Sequence, residues 1–365
     1  MKELLRKNYY IGVMSGTSLD GIDLVFCEIT AHNCQLLHAY EYPFPLALKE
    51  EILSTIQEKT TLQNIGILDH KIGLLYAESI IKFLQKFDLK RDSIVAIGLH
   101  GQTVWHEPHS KFPFSMQLGD ANIVTARTGI TTVADFRRMD MANGGQGAPF
   151  APAFHRFLFD SLGENTAILN IGGMANITLL DEKLQGWDSG CGNVLLDSWM
   201  MRTQHKFYDN NGKFAKSGKL NESLLKAMLK DDYFSKFPPK STGREYFNDT
   251  WLANYLSTFG TIPDADVQRT LLELTAQSIA NDLNTTKTET TIVCGGGVKN
   301  NFLIQRLQKL SKSQIVISDT LGVSSDFLEA MAFAWFADKR VHNETVDLCS
   351  VTGASKASLL GGIYG

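Results

Sequence analysis

Two stretches half a chain apart, residues 10–29 (YIGVMSGTSLDGIDLVFCEI) and 166–180 (TAILNIGGMANITLL), repeat one pattern: a β-branched strand, a turn of Gly, Ser, Thr or Asn, and a second strand. A glycine-rich hairpin turn lets backbone N–H groups converge with no Cβ in the way, which suits an anion. A single such turn has an ordinary explanation, since many hairpins use glycine for bend geometry alone. A second copy, followed by a third glycine cluster at 294–303 (CGGGVKNNFL) that opens an apparent helix, points to two related lobes forming a nucleotide clamp.

Composition narrows the partner. At 365 residues the chain is long enough for two domains or one large bilobal one. Hydrophobic residues make up 44% and charged residues 20%, which excludes a mainly disordered chain. A net charge of −4 provides no basic face for nucleic acid, so a small-molecule partner is expected. The five cysteines (Cys27, Cys34, Cys191, Cys294, Cys349) include no C-x-x-C pair and indicate neither a disulfide framework nor a zinc knuckle. A reducing cytoplasm fits that usage. The charged start at 1–7 leads into no signal-peptide core, and the longest apolar helix candidate, 327–337, is too short for a bilayer.

Apolar residues at three- and four-residue steps predict helices over 46–57, 69–87, 118–127, 194–202, 248–256, 267–283, 300–310 and 326–338. Short β-branched runs predict strands at 93–99, 129–134, 291–294 and 314–318. This alternation argues for an α/β structure with a mixed sheet. Residues 137–152 (RRMDMANGGQGAPFAP) lack periodicity and read as the crossover between lobes. The lobes are accordingly expected over 1–136 and 137–365, with the last residues free to return to the first.

Several segments could carry chemistry. In 15–23 (SGTSLDGID), glycines admit a phosphate, hydroxyls donate to it, and a carboxylate can hold Mg²⁺ through water. An Asp-Gly bend capped by Ser and Thr would look the same. The turn at 170–176 has a glycine bulge as its plain alternative. Gly295, Gly296 and Gly297 exceed what a tight turn needs, so a flat group such as adenine could lie at the following helix start. His100, His106 and His109 share no helix face and read as hydrogen-bonding residues rather than metal ligands. Residues 212–220 (GKFAKSGKL) miss the P-loop pattern by one residue and by Leu220. Cys191 lacks an evident activating base for a nucleophilic role.

The segments SGTSLDGID (15–23), HGQTVWHEP (100–108), ADFRRMDMANGGQGAP (134–149), NIGGMANIT (170–178), GWDSGCGN (186–193) and GGG-x-x-N-x-x-L (295–303) together resemble the anhydro-N-acetylmuramic acid kinases, and the resemblance runs from residue 10 to 365. It implies an α/β, two-lobed actin/hexokinase/Hsp70-like (ribonuclease H-like) fold with a central cleft. It also implies an ATP- and Mg²⁺-dependent kinase in cell-wall amino-sugar recycling. In that reaction water opens the anhydro ring of 1,6-anhydro-N-acetylmuramate while O6 takes the γ-phosphoryl group. Two departures stand out: the family's D-T-G-P-G-N loop reads Asp188-Ser189-Gly190-Cys191-Gly192-Asn193 here, and Met14-Ser15 replace the acidic residue usual before Gly-Thr in the wider fold.

Carried onto this sequence, the resemblance makes Asp188 the catalytic base and Glu329 a second carboxylate. Helix capping is the structural alternative for each: by distance improbable for Asp188, and for Glu329 a D-x-x-E box with Asp326. The nucleotide would meet Gly16, Thr17, Ser18, Leu19, Asp20, Gly21, Ile22 and Asp23 in the first turn. In the other two it would meet Gly172, Gly173 and Asn176, and Gly295, Gly296, Gly297 and Asn300. The sugar would meet Gln102, Thr103, Asp135, Arg137 and Gly147, with Arg137 suited to the lactyl carboxylate and a solvated surface arginine as the alternative. A homodimer is compatible with the sequence. Two other readings stay open: a superfamily kinase of an ordinary hexose or amino sugar, and an ATP-binding sensor or scaffold.

Overall fold

A computed structural model describes residues 8–16, 19, 21–57, 60–238 and 240–365. Thr17, Ser18 and Asp20 of the expected first nucleotide turn therefore lie outside the described residues. The chain forms two compact units, one running to Leu158 and resuming over Phe327–Gly365, the other Phe159–Asp326.

In the first unit, β1 (Tyr9–Ser15), β2 (Gly21–Ile29) and β3 (Cys34–Pro43) form an antiparallel meander. Next to β1 and parallel to it runs β4 (Ile94–Leu99), a continuous apolar run of the kind that strands covered on both faces carry. The hairpin β5 (Gln102–Glu107) and β6 (Phe114–Leu118) stands apart as its own two-stranded sheet. β7 (Thr132–Ala134) adds parallel to β4, and the C-terminal strand Gly362–Tyr364 closes the edge antiparallel to β7. The helix Leu62–Lys86 begins at Thr61, whose hydroxyl accepts the Asn64 N–H, and it buries Leu68, Ile72, Tyr76, Ile80 and Phe83.

The second unit repeats this order. β8 (Thr166–Ile171), β9 (Met174–Leu180) and β10 (Leu184–Cys191) are antiparallel neighbours, while β11 (Thr290–Cys294) lies parallel to β8 and β12 (Gln314–Ile317) parallel to β11. Setting aside the separate β5–β6 hairpin and the C-terminal edge strand, the first sheet runs β3-β2-β1-β4-β7 and the second β10-β9-β8-β11-β12, the same spatial sequence of third, second, first, fourth and fifth sheet strands. The doubling is what the paired hairpins suggested, and the topology of each unit is that of the α/β, ribonuclease H-like fold that the resemblance implied. The long helix Asp264–Asn284 covers the second sheet, burying Val267, Leu271, Leu274 and Ile279.

Two stretches near the expected site fold differently from expectation. Residues 137–152 are not an irregular crossover: they contain the helix Phe136–Ala142 and the start of the helix Ala151–Phe159, separated by the glycines at 144, 145 and 147. Phe136 and Met141 bury themselves in the first unit, and Phe154 packs on Trp335, so the chain leaves that unit after Leu158 rather than at Arg137. Trp187–Asn193, expected as a loop, mostly belongs to β10, which bulges between Asp188 and Gly190.

The helix Leu328–Val341 explains how the C-terminal segment joins the first unit. Gly12 of β1 and Gly98 of β4 are register partners. A Cβ on Gly12 would overlap the Ala330 carbonyl oxygen, and one on Gly98 the Phe333 carbonyl oxygen. The helix therefore lies directly on bare backbone, which only glycine allows. Replacing Gly98 by alanine forces backbone away from backbone, an overpacking cost of about 1–3 kcal/mol. Gly66, inside the helix Leu62–Lys86, has open space around its missing Cβ, so Gly66→Ala is expected to stabilise by about 0.5–1 kcal/mol. Urea unfolding of the two variants should move the midpoint in opposite directions.

Candidate active site

On the second unit the site begins with sheet register. Asn170, Asn176 and Asp188 are direct neighbours across β8, β9 and β10, so three polar side chains stand in one row at the end of the sheet. The Asn170 amide donates to Asn176 Oδ1 at 3.4 Å, and the Asn176 amide donates in turn to Asp188 Oδ1 in a short hydrogen bond. The Thr242 N–H donates to Asp188 Oδ2 at 2.9 Å. Asp188 caps no helix; the helix Val194–Gln204 starts from Asn193 without a side-chain cap.

Burial dominates the electrostatics of Asp188 and raises its carboxyl above the usual 3.8; the charge of Glu245 adds to this, while the Thr242 and Asn176 donors pull the other way. A half-buried carboxylate that is a stronger base than an ordinary aspartate results. Cys191 nearby is buried, and burial pushes its thiol up to about 12, so it stays protonated and is no nucleophile.

The two expected glycine turns of this unit have distinct internal reasons for their glycines. The Gly172 carbonyl accepts the Asn193 N–H at 2.8 Å, and the Gly173 carbonyl accepts those of Gly192 and Val194 at 2.8 and 3.1 Å. A Cβ on Gly192 would strike the Gly172 carbonyl. In the third cluster Gly295, at φ +83°, and Gly297 both press against Ile171, whereas Gly296 opens on free space. Asn300 caps the helix Asn301–Leu310, its Oδ1 accepting the Leu303 N–H at 3.0 Å.

In the first unit Gln102 is wholly buried and bound to the first turn: its Oε1 accepts the Ser15 hydroxyl at 2.8 Å and its amide donates to the Gly16 carbonyl at 3.4 Å. Leu19, in the left-handed region at φ 55°, sends its side chain into the core, as does Ile22, while Gly21 and Asp23 lie on β2 with Asp23 half-buried. Thr103 accepts from Gln117 on the neighbouring strand.

Arg137 is no solvated surface residue. Its guanidinium donates to His100 Nε2 at 2.8 Å and to the Gly147 carbonyl at 2.7 Å, and it lies over the Phe150 ring. Burial and the Arg137 charge hold His100 well below its ordinary pKa, so its Nε2 is a free acceptor for that guanidinium. Glu329 supports the Arg137 charge from the first turn of the helix Leu328–Val341. That helix has Phe327 at its N-cap with no side-chain cap bond, and Asp326 pairs with Lys299 at 2.9 Å, so the capping-box arrangement is absent. Asp135 stands apart at φ 59°, joined to Arg138 at 3.4 Å.

Sequence reading missed the segment at 240–245 (KSTGRE), which follows no known fingerprint. The Lys240 carbonyl accepts the Asp188 N–H at 3.0 Å, and the Lys240 side chain, 2% exposed, pairs with Asp282 at 3.0 Å. The Asp282 carboxylate also accepts the Trp187 indole N–H at 2.8 Å. The signal that could have found it was a polar, glycine-containing stretch between aromatic helices. Titration of Asp188, followed by carboxyl NMR in aspartate-labelled protein, should give a midpoint above 3.8. Asn176→Ala removes a donor to the charged form and should move it higher still; an unchanged or lower midpoint would contradict this account.

The family model for anhydro-N-acetylmuramic acid kinase matches residues 8–365. A protein of that name from Sulfurimonas denitrificans is 55% identical over 364 residues, covering 98% of this chain and 99% of the relative. Counterparts from Sulfurovum sp. and Pasteurella multocida are 53% and 51% identical, with 99% and 98% of this chain and 100% and 96% of theirs covered. Among the described residues no helix is long and apolar enough to cross a membrane. With this match running over nearly the whole chain, the chain belongs to the anhydro-N-acetylmuramic acid kinase family.

Proposed function

We propose that this protein is an ATP-dependent kinase that opens the anhydro ring of 1,6-anhydro-N-acetylmuramate with water and phosphorylates the released O6, yielding N-acetylmuramate 6-phosphate and ADP. The observation that carries this reading is Asp188: a carboxylate of raised basicity, fixed by Asn176 and the Thr242 N–H beside a glycine turn. Water adds to C1 as the C1–O6 bond breaks, and its proton passes to the Asp188 carboxylate. O6 then takes the γ-phosphoryl group as the bond to ADP breaks.

Other residues serve binding in this proposal. Glu329 is the second carboxylate, contacting the sugar from its helix start. Arg137 receives the lactyl carboxylate with the guanidinium donors not engaged by His100 and Gly147, while Gln102, Thr103, Asp135 and Gly147 meet the sugar's neutral hydroxyl and amide groups. The phosphates and adenosine meet the turns at 16–23, Gly172-Gly173 with Asn176, and Gly295–Gly297 with Asn300; Gly296 offers the open face. The described residues contain no group of three His, Cys, Asp or Glu side chains fit to hold a metal. Mg²⁺ would accordingly be held by the nucleotide phosphates and water, with Asp23 near the first turn as an outer partner, and it would offset phosphate charge.

Incubation with ATP and 1,6-anhydro-N-acetylmuramate in ¹⁸O water separates this reading from a kinase of ordinary hexoses. Label should enter the C1 hydroxyl of the phosphorylated product. Product without label, or turnover of glucose or N-acetylglucosamine in place of the anhydrosugar, would refute the proposal. Asp188→Asn should lower kcat by about 100-fold or more while leaving ATP binding in place, as for loss of a general base.

A further inference from the structure

Arg244, a cation beside the second glycine turn, is left without a task by the reading above. Its side chain is exposed, and a methyl group placed on Gly173 would lie 3.8 Å from both Nε and Nη2 of its guanidinium. It makes no ion pair among the described residues. The charges that act on Asp188 are those of Glu245 and Lys240, so the Arg244 charge is not spent on the base.

The backbone that carries Arg244 is fixed on both sides. Upstream, Lys240 and Thr242 are bonded to Asp188, and Lys240 is anchored in the interior on Asp282. Downstream, the Gly243 carbonyl accepts the Tyr246 and Phe247 N–H groups at 3.1 Å each, and the Asn248 amide donates to the Arg244 carbonyl at 3.3 Å. With the backbone already fixed, only the freedom of the arginine side chain itself is lost when the guanidinium meets an anion.

The turn beneath it is equally prepared. The Gly172 and Gly173 carbonyls, which would repel an anion, are engaged by the amides of Gly192, Asn193 and Val194. The buried Thr242 Oγ1 has no hydrogen-bond partner among the described residues and stands one residue from Gly243 in the same segment. An arginine with no ion pair among the described residues, close over a Cβ-free turn whose carbonyls are already engaged, is a phosphate site in the making.

We infer that Arg244 is a catalytic residue that binds the terminal phosphate of the nucleoside triphosphate and stabilises the phosphoryl group during transfer. The inference rests on the kinase reading. The guanidinium would bind two non-bridging phosphate oxygens bidentately and neutralise charge that gathers on them in the transition state. The adenosine and the inner phosphates would be held elsewhere, so its contribution should appear with triphosphate and vanish with diphosphate.

Calorimetric binding of ADP and of a non-hydrolysable ATP analogue to the intact protein and to Arg244→Gln tests this, alongside kcat and the KM for the anhydrosugar. In the variant, the analogue should bind about tenfold more weakly with ADP nearly unchanged, and kcat should fall about 100-fold or more, with partial recovery in Arg244→Lys. Equal losses for both nucleotides, no loss for either, or an effect confined to the sugar KM would overturn the inference, the last by assigning Arg244 to the lactyl carboxylate. If the unaltered protein binds neither nucleotide, the kinase reading itself fails and the inference with it.

Discussion

The first unit depends on one close approach: the helix Leu328–Val341 resting on Gly12 and Gly98, with nothing between helix backbone and sheet backbone. Because both glycines sit at one level of adjacent parallel strands, the helix has a single depth and direction in which it fits. Phe333 and Phe336 then lock against Phe136, and the same contact sets where the helix begins. Glu329 stands in that first turn, so the position of a candidate site carboxylate follows from two missing methyl groups over a sheet. A side chain at either glycine would displace it.

In the second unit the equivalent control comes from register. Strand pairing is periodic by two, so a one-residue slip would turn a whole strand over and remove Asp188 from Asn176. The bulge after Asp188 absorbs one extra residue and lets Gly190 and Cys191 resume pairing with β9. Below the row, the buried Lys240–Asp282 pair and the Trp187 indole brace the segment whose amide holds the Asp188 carboxylate. A buried ion pair of this kind is a poor source of net stability, since desolvation offsets its attraction. Its evident effect here is geometric: it fixes a loop that touches Asp188.

Much of this architecture was legible in the chain. Helix periodicity located the helices at 46–57, 248–256 and 301–310, and the paired hairpins announced the doubled topology. The failures cluster where local signals conflict. The helices Phe136–Ala142 and Ala151–Phe159 are short, flank a glycine-rich turn and gain their stability from aromatic packing, so periodicity was masked. β3 and β10 were passed over because Gln, His, Tyr, Gly and Ser interrupt their apolar alternation, and ladder hydrogen bonds from neighbours supply what propensity lacks.

By itself the sequence determined the two glycine-turn hairpins, the α/β class and the family, because these are written in local spacing and in motifs that survive without neighbours, and it singled out the carboxylate at 188 as a candidate. Only the tertiary structure decided what that carboxylate is bonded to, that Gln102 and Arg137 are built into the walls around the first turn and His100, and that Arg244 stands over Gly173. Those are contacts between residues dozens of positions apart, set by strand register and by how closely a helix or loop can approach bare backbone, and no local pattern in a chain encodes such distances.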